Sequence, residues 1–343
     1  MITVYSDDHL QHSGLLEPDG DSLIASFECP QRAQNVLESI RAAGLGELKA
    51  AAPQPQHRLT AVHDPDYVEF LANAWQDWIG AGEQASNARP YAFVGAGMRY
   101  ANCEDIYGKL GRYSFDATAP IVAGSWQAIR TSANIALTAA DLIRGGDRHA
   151  FALCRPPGHH ATRNQCGGYC YLNNCAIAAQ SLLNSGKQRI AILDLDYHHG
   201  NGTQSIFYDR NDVLTISVHA DPALEYPFFL GYADEPGEAA GHGFNVNYPM
   251  PFGTGWNDYR EALEDAGAQI QRFGPDALIV ALGLDTYADD PTTRFLIRSD
   301  DYTAMGAFVG GLGLPVLTVL EGGYAVDAIG LNATNFLAGA AGQ

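Results

Sequence analysis

Short apolar runs alternate with amphipathic segments along most of this chain of 343 residues. The runs are rich in Val, Ile and Leu, as strands buried on both faces of a parallel sheet are. They cover residues 2–5, 149–153, 189–195, 213–218, 277–282 and 316–320. Segments with apolar residues at helical spacing cover residues 31–43, 65–79, 125–143, 173–184, 256–273 and 299–309. This alternation predicts an α/β fold, built on a single open, mostly parallel β-sheet with helices on both faces.

No repeat, low-complexity tract or linker divides the chain, and we predict a single domain over residues 1–343. Residues 75–113 are rich in Gly, Tyr, Asn and Arg and show only weak periodicity. This pattern predicts a loop insertion, which in a compact domain tends to be functional. We expect it to form a wall of a substrate site or a contact between two copies of the chain.

Charge and cysteine spacing limit the partners and the compartment. The formal net charge of −19 attracts cations and repels nucleic acid, although a charge of this sign also serves solubility alone. No apolar run approaches the roughly 18 residues of a membrane span. The N-terminal sequence lacks the basic and apolar regions of a signal peptide, and the six cysteines form no C-x-x-C pair. We therefore expect a cytoplasmic protein with reduced thiols and neither a nucleic-acid nor a membrane partner.

Ionisable or polar residues follow each central strand of the predicted sheet. Residues 155–160 follow the second run, and the third run ends in residues 194–200. His219 follows the fourth run, Asp285 the fifth and residues 321–324 the sixth. The carboxyl ends of parallel strands meet at one edge of a sheet, where function gathers. These side chains are therefore predicted to form one site.

Asp196 and His198 are two residues apart, so in an extended segment both side chains would lie on one face. Asp285, from another strand end, would complete a set of two aspartates and one histidine. Three protein ligands with an open position are typical of catalytic zinc, and oxygen-rich ligation also suits Fe(II) or Co(II). The alternative is that these carboxylates only cap strand ends or form ion pairs. His199 would point away from His198 and is predicted to be a packing residue.

His159 and His160 follow a Pro-Pro-Gly turn whose restricted backbone can hold both rings rigidly. Two histidines at this edge are candidates for acid/base catalysis of amide hydrolysis, with Asp194 and Asn201 holding their second ring nitrogens. Tyr324 follows two glycines after a strand, and its hydroxyl could donate to a developing oxyanion. The alternative for Tyr324 is a core tyrosine.

Four motifs, at residues 155–160, 167–174, 194–202 and 321–324, resemble those of the arginase–deacetylase superfamily, in its histone deacetylase branch. The resemblance extends over residues 5–337 and, within that branch, is greatest to the bacterial acetylpolyamine amidohydrolases. The binuclear ureohydrolases of the superfamily carry Asp-x-His-x-Asp, an arrangement for two metals. Here the order is Asp-x-Asp-x-His, which suits one metal.

The resemblance implies an arginase/deacetylase fold and a zinc-dependent hydrolase that acts on linear amides as a homodimer. It implies that the tandem histidines are the acid/base pair and that Tyr324 polarises the carbonyl. A structural potassium ion is also implied. Its ligands would come from Asp194, Asp196, His198, Ser217 and Val218. The residues implied to surround the substrate are Tyr169, Tyr226, Gly168, Gly322 and Gly323.

A small cationic acetylated amine is the substrate that the resemblance and the charge favour. Glu17 resembles a glutamate that family members place near the substrate amine, and Asp116 lies in the other loop expected at the mouth. Some polyamine-specific relatives carry a glutamate near the position of Thr118, so the acid has moved in this chain. We expect hydrolysis of N-acetylated polyamines or diamines, such as acetylputrescine, acetylcadaverine or acetylspermidine. The alternative is an acetyl-lysine protein or peptide deacetylase.

Overall fold

The computed structural model describes residues 1–342, within which ten strands form two sheets. The strands are β1 Ile2–Tyr5, β2 Leu16–Asp19, β3 Ser22–Ala25, β4 Glu47–Ala50, β5 His149–Ala152, β6 Ile190–Asp194, β7 Val213–Ala220, β8 Asn245–Met250, β9 Ala277–Leu282 and β10 Val316–Leu320. The helices are α1 Pro30–Ala43, α2 Pro65–Gly80, α3 Ile106–Arg112, α4 Ser125–Arg144, α5 Asn174–Asn184, α6 Asn201–Phe207, α7 Trp256–Phe273, α8 Asp301–Gly311 and α9 Val326–Ala341. None of the described helices is long and apolar enough to cross a membrane.

Eight strands form one sheet in the order β4-β1-β5-β10-β9-β6-β7-β8, and every neighbouring pair is parallel. The strands β2 and β3 form a separate antiparallel hairpin. The predicted parallel sheet with helices on both faces is confirmed. Because all strands run the same way, their carboxyl ends share one edge.

Each central strand contributes alternate residues to two cores. In β6, Ile190 and Ile192 belong to a core that also contains residues of α2, α4 and α5. Ala191 and Leu193 belong to a second core, which contains residues of α1, α7, α8 and α9. Burial on both faces explains why the central strands are continuous apolar runs.

The six predicted strands and six predicted helices occur with boundaries within two residues. The edge strands β4 and β8 were not predicted, since β4 is largely exposed and β8 contains Pro249, which an edge strand tolerates. The hairpin and the helices α3, α6 and α9 were also missed. The prediction of a loop over 75–113 was wrong at both ends, where α2 and α3 lie, and residues 81–105 are irregular. The start of α3 is fixed by Asp105, whose side chain accepts from the Tyr107 N–H.

A buried ionic cluster fixes the segment before α1 to the end of β5. The Glu28 carboxylate accepts from Arg155 Nε at 2.7 Å and from Arg32 Nη1 at 3.0 Å, and all three side chains are fully buried. Burial alone would raise the pKa of Glu28, but the guanidinium groups of Arg155 and Arg32 outweigh it and lower the pKa. Arg155 also donates to the backbone carbonyls of His9 and His12, so its side chain connects three chain segments.

Replacing Glu28 by Ala should lower the free energy of unfolding by about 3–5 kcal/mol, because two buried guanidinium groups lose their counter-charge. Urea unfolding of the variant and of the unaltered protein measures this loss. Glu264→Ala is the matched control, since Glu264 pairs with Arg260 at 3.6 Å on the surface and its loss should cost no more than about 0.5 kcal/mol. Equal losses in the two variants would contradict a stabilising role for the buried cluster.

Candidate active site

Asp196, His198 and Asp285 lie together at the carboxyl edge of the sheet. Their ligand atoms are all within 4.8 Å of one another. His198 Nδ1 is 3.3 Å from Asp196 Oδ1 and 3.3 Å from Asp285 Oδ2. The two carboxylates are fully buried and come from the ends of β6 and β9. The structure thus brings the three predicted metal ligands together.

The residues after β6 converge by a different route from the one predicted. The strand ends at Asp194, and residues 195–200 form turns instead of continuing the strand. Asp194 Oδ1 accepts from the Asp196 N–H at 3.1 Å, and Asp196 Oδ1 accepts from the His198 N–H at 2.9 Å. Aspartate side chains often fold a turn by accepting a backbone N–H two residues on. This pair of turns directs Asp196 and His198 toward Asp285.

The charges of this cluster fit a cation. Burial raises the pKa of Asp285 to about 7, and the nearby Asp196 carboxylate adds to the rise. Asp285 Oδ2 has no hydrogen-bond partner although it is buried. Burial alone would lower the pKa of His198, but contacts with Asp196 and Asp285 outweigh it and raise the pKa to about 10. The two carboxylates therefore favour a positive charge beside them. A divalent ion bound by their oxygens and by Nδ1 of His198 would supply it.

His159 and His160 lie beside this cluster and are each held at Nδ1. His159 Nδ1 is 3.0 Å from Asp194 Oδ2, and His160 Nδ1 is 2.7 Å from Asn201 Oδ1. The two ring centroids are 3.9 Å apart. Asp194 and Asn201 thus occupy the positions predicted for them, and each ring keeps its Nε2 for chemistry.

The two rings differ in their electrostatic surroundings. Burial alone would lower the pKa of His159, but the carboxylates of Asp196 and Asp194 outweigh it and raise the pKa to about 10. Burial and the neighbouring His159 lower the pKa of His160 well below its ordinary value. These surroundings favour the protonated form of His159 and the neutral form of His160, which is the form that can accept a proton.

Glu321, which the sequence pattern did not single out for a role, fixes the loop that carries these rings. Its Oε2 accepts from the N–H groups of Gly158 at 2.6 Å and His159 at 3.1 Å. Sequence reasoning missed this contact because backbone N–H groups leave no signal in the sequence. Gly322, the next residue, donates its N–H to Asp196 Oδ2 at 2.8 Å. A Cβ at Gly322 would lie 2.2 Å from Asp285 Oδ2, so only glycine permits this approach.

Tyr324 follows Gly323, whose φ of +114° is in a region that favours glycine. The ring of Tyr324 lies beneath the guanidinium of Arg32, with the Arg32 Cζ 4.8 Å from the ring centroid. Burial raises the pKa of Tyr324 well above its ordinary value. Its hydroxyl therefore stays protonated and can donate a hydrogen bond.

These groups meet at a cavity of about 110 Å³. The ring of Tyr169 lies 5.5 Å from that of Tyr324, and the ring of Tyr226 lies 5.0 Å from that of His160. The cavity is narrow and mostly aromatic, a shape that suits a thin alkyl chain. Its lining residues are Thr118, His160, Gly168, Tyr169, His198, Tyr226, Thr292 and Tyr324.

Two acidic residues, Glu17 and Asp116, lie near the aromatic walls of the cavity and differ in their hydrogen bonds. Glu17 is 7% exposed, and its Oε2 has no hydrogen-bond partner. Burial raises the pKa of Tyr169, and the nearby Glu17 carboxylate adds to the rise. Asp116, by contrast, accepts from the Tyr226 hydroxyl at 2.6 Å and from the Gly168 N–H at 3.0 Å. Asp116 therefore holds the cavity wall, whereas Glu17 keeps one oxygen free.

The remaining predicted residues lie behind the cavity. Gly322 gives the backbone its close approach to the aspartates, whereas a Cβ at Gly323 would lie 2.7 Å from the Cβ of Leu284. His199 is buried away from the metal ligands, with Nε2 3.0 Å from Gln204 Oε1. Ser217 pairs with Asp194 in the register of β6 and β7, and Val218 is the next residue of β7. The residues predicted for a monovalent cation thus lie at the end of β6 and in the neighbouring strand β7.

This chain is similar to known proteins over nearly its whole length. The histone deacetylase domain matches residues 26–340 of this chain. Acetylpolyamine amidohydrolase 2 of Pseudomonas aeruginosa is 51% identical over 339 residues, which is 99% of this chain and 98% of the relative. Acetylpolyamine amidohydrolase of Mycoplana ramosa is 44% identical over 343 residues, with 100% of both chains covered.

A solved structure, that of acetylpolyamine aminohydrolase from Burkholderia pseudomallei, superposes with a TM-score of 0.93 at 36% identity and covers 99% of this chain and 98% of its own. The alignments with these relatives include the whole sheet and the residues at its carboxyl edge. The predicted arginase/deacetylase fold is therefore confirmed. This chain belongs to the histone deacetylase family.

Proposed function

We propose that this protein hydrolyses the acetamide of N-acetylated polyamines or diamines, such as acetylputrescine, acetylcadaverine and acetylspermidine, to acetate and the free amine. The observation that carries the proposal is the cluster of Asp196, His198 and Asp285 beside two buried histidines at a narrow aromatic cavity. The names of the Pseudomonas aeruginosa and Mycoplana ramosa relatives agree with it.

Asp196, His198 and Asp285 would hold one divalent ion, which we propose is zinc, with Fe(II) or Co(II) as substitutes. When bound, the ion supplies Lewis acidity to the carbonyl and makes a water more acidic. The protein contributes a fixed, buried set of ligands. The unpartnered Asp285 Oδ2 and the turns at Asp194 and Asp196 support this assignment.

His160 lines the cavity and is the neutral ring, so it takes the proton of the attacking water and then delivers it to the leaving amine. His159 does not line the cavity, and its positive charge stabilises the negative charge that develops on the substrate. Asp194 and Asn201 orient the two rings. Tyr324 donates its hydroxyl hydrogen to the carbonyl oxygen, whose charge grows in the transition state.

The cavity and its charges support a slender cationic substrate. The rings of Tyr169 and Tyr226 enclose the alkyl chain, and the unpartnered oxygen of Glu17 would accept the distal ammonium. A net charge of −19 draws such cations toward the protein. Thr118 lines the cavity without a charge, and the acid of this loop, Asp116, is held against Tyr226.

We further propose a homodimer, a structural potassium ion and a cytoplasmic location. Tyr91 and Met98, in the irregular segment 81–105, are 75% and 67% exposed and would contact a second copy. Asp194 and Ser217, adjacent in the sheet, would supply oxygens to potassium together with carbonyls of Asp196, His198 and Val218. All six cysteines are free thiols, as in the reducing cytoplasm.

Replacing Tyr324 by Phe should lower kcat for acetylputrescine about 100- to 1000-fold, because the carbonyl oxygen loses one hydrogen-bond donor. Steady-state kinetics measure kcat. As controls, the metal content from elemental analysis and the temperature of thermal unfolding should be the same in the variant and the unaltered protein. Unaltered turnover would remove Tyr324 from the chemistry.

A substrate panel tests the amine preference. We expect the unaltered enzyme to have a higher kcat/KM for acetylputrescine than for N-butylacetamide, which has the same chain length without the charge, or for an acetyl-lysine peptide. Glu17→Gln should lower kcat/KM for acetylputrescine about tenfold, the loss expected for one partly buried ion pair.

N-butylacetamide is the matched control for Glu17→Gln, since it offers no charge to Glu17 and should react equally with both enzymes. A kcat/KM that is higher for the peptide than for acetylputrescine would favour the acetyl-lysine deacetylase instead. Equal loss on charged and neutral substrates would remove Glu17 from amine recognition.

A further inference from the structure

We propose that Asp290 is a positioning residue that sets the location of the Tyr324 hydroxyl. The inference rests on the proposed role of Tyr324 in hydrolysis. Asp290 lies in the loop after β9, the same loop that carries Asp285. Its side chain does not line the cavity, so it acts through the backbone of residues that do.

Both oxygens of Asp290 are fully used. Oδ2 accepts from the N–H of Tyr324 at 2.5 Å and from the N–H of Ala325 at 2.8 Å. Oδ1 accepts from the N–H of Thr292 at 3.0 Å and from its Oγ1 at 2.9 Å. Asp290 is 6% exposed, so water competes little for these bonds. Hydrogen bonds to a charged acceptor are roughly twice as strong as neutral ones.

The loop before Tyr324 has little stiffness of its own. Gly322 and Gly323 precede it, and glycine leaves the backbone free to rotate. Behind the loop, Arg32 donates to the carbonyls of Glu321 and Gly323. The N–H of Tyr324 itself is held by Asp290. The position of the tyrosine ring is therefore fixed from the glycine side by Arg32 and from the helix side by Asp290.

The same carboxylate stabilises the start of α9. Ala325, the residue before this helix, has no side chain that can cap it, and Asp290 accepts its N–H. A negative charge here also interacts favourably with the helix dipole. The alternative is that Asp290 only caps this helix. The test must therefore distinguish an effect on the stability of the protein from an effect on the placement of Tyr324.

Thr292 connects this anchor to the substrate. Its side chain lines the cavity together with Tyr324, and Asp290 binds both residues. Asp285 lies earlier in the loop and accepts the Tyr197 N–H at 2.9 Å. One loop thus places a metal ligand, a wall of the cavity and the anchor of the oxyanion donor relative to one another.

A double-mutant cycle tests the proposal. Asp290→Ala should lower kcat for acetylputrescine about 10- to 100-fold in the otherwise unaltered enzyme, part of the 100- to 1000-fold value of one oxyanion donor. In the Tyr324→Phe background the same change should lower kcat less than about twofold, because the hydroxyl that Asp290 positions is already gone. Zinc content should be the same in all four proteins.

Two further variants keep the test sharp. Asp290→Asn retains one carbonyl acceptor and should lose less kcat than Asp290→Ala, again only when Tyr324 is present; it carries the same cycle if Asp290→Ala does not fold. Asp327→Ala removes an exposed acid from the first turn of the same helix. It should lower stability slightly and leave kcat unchanged in both backgrounds.

The possible outcomes distinguish the positioning role of Asp290 from the proposed function of the protein. Losses from Asp290→Ala of equal size in both backgrounds would overturn the positioning role and leave the proposed function intact. Full turnover in Tyr324→Phe alone would overturn the proposed role of Tyr324, and with it this inference. A loss that vanishes in the Tyr324→Phe background supports both.

Discussion

Two buried carboxylates, those of Asp196 and Asp285, face each other at the edge of the sheet, and ionised groups in that position are costly unless they are compensated. Backbone N–H groups satisfy part of their surface: Gly322 and His198 donate to Asp196, and Tyr197 donates to Asp285. What remains is a gap between two oxygens and the Nδ1 of His198. A divalent ion held there, as proposed, would balance the negative charge of the two carboxylates.

The sheet supplies this arrangement through four adjacent strands in the order β5-β10-β9-β6. The end of β5 leads to His159 and His160, and β10 leads to Tyr324. The strand β9 leads to Asp285, and β6 to the turns that carry Asp196 and His198. Because the strands are parallel, every group of the candidate site reaches the same edge from a rigid element. Loops on either side, which carry Tyr169 and Tyr226, then close the aromatic cavity.

Much of this could be predicted from the sequence, since strands buried on both faces are continuous apolar runs and chemical groups gather at their ends. The exposed edge strands lack that pattern, and β4 and β8 were missed. Asp285 and His198 could be predicted to lie together as candidate ligands because their residue types are informative at strand ends. The ion pair between Glu28 and Arg155 could not be predicted, because 127 residues separate the two and no local sequence pattern indicates the contact. Three of the four hydrogen bonds of Asp290 come from backbone N–H groups, which every residue but proline supplies.

Metal content is the most direct measure of whether the two carboxylates and the histidine hold one divalent ion. After zinc loading and exhaustive dialysis, elemental analysis should find one zinc per chain in the unaltered protein and in Asp289→Ala, which removes an exposed acid from the same loop. Asp285→Ala should retain almost none, although it remains folded by circular dichroism. A full equivalent of zinc in Asp285→Ala, or none in the unaltered protein, would contradict the account.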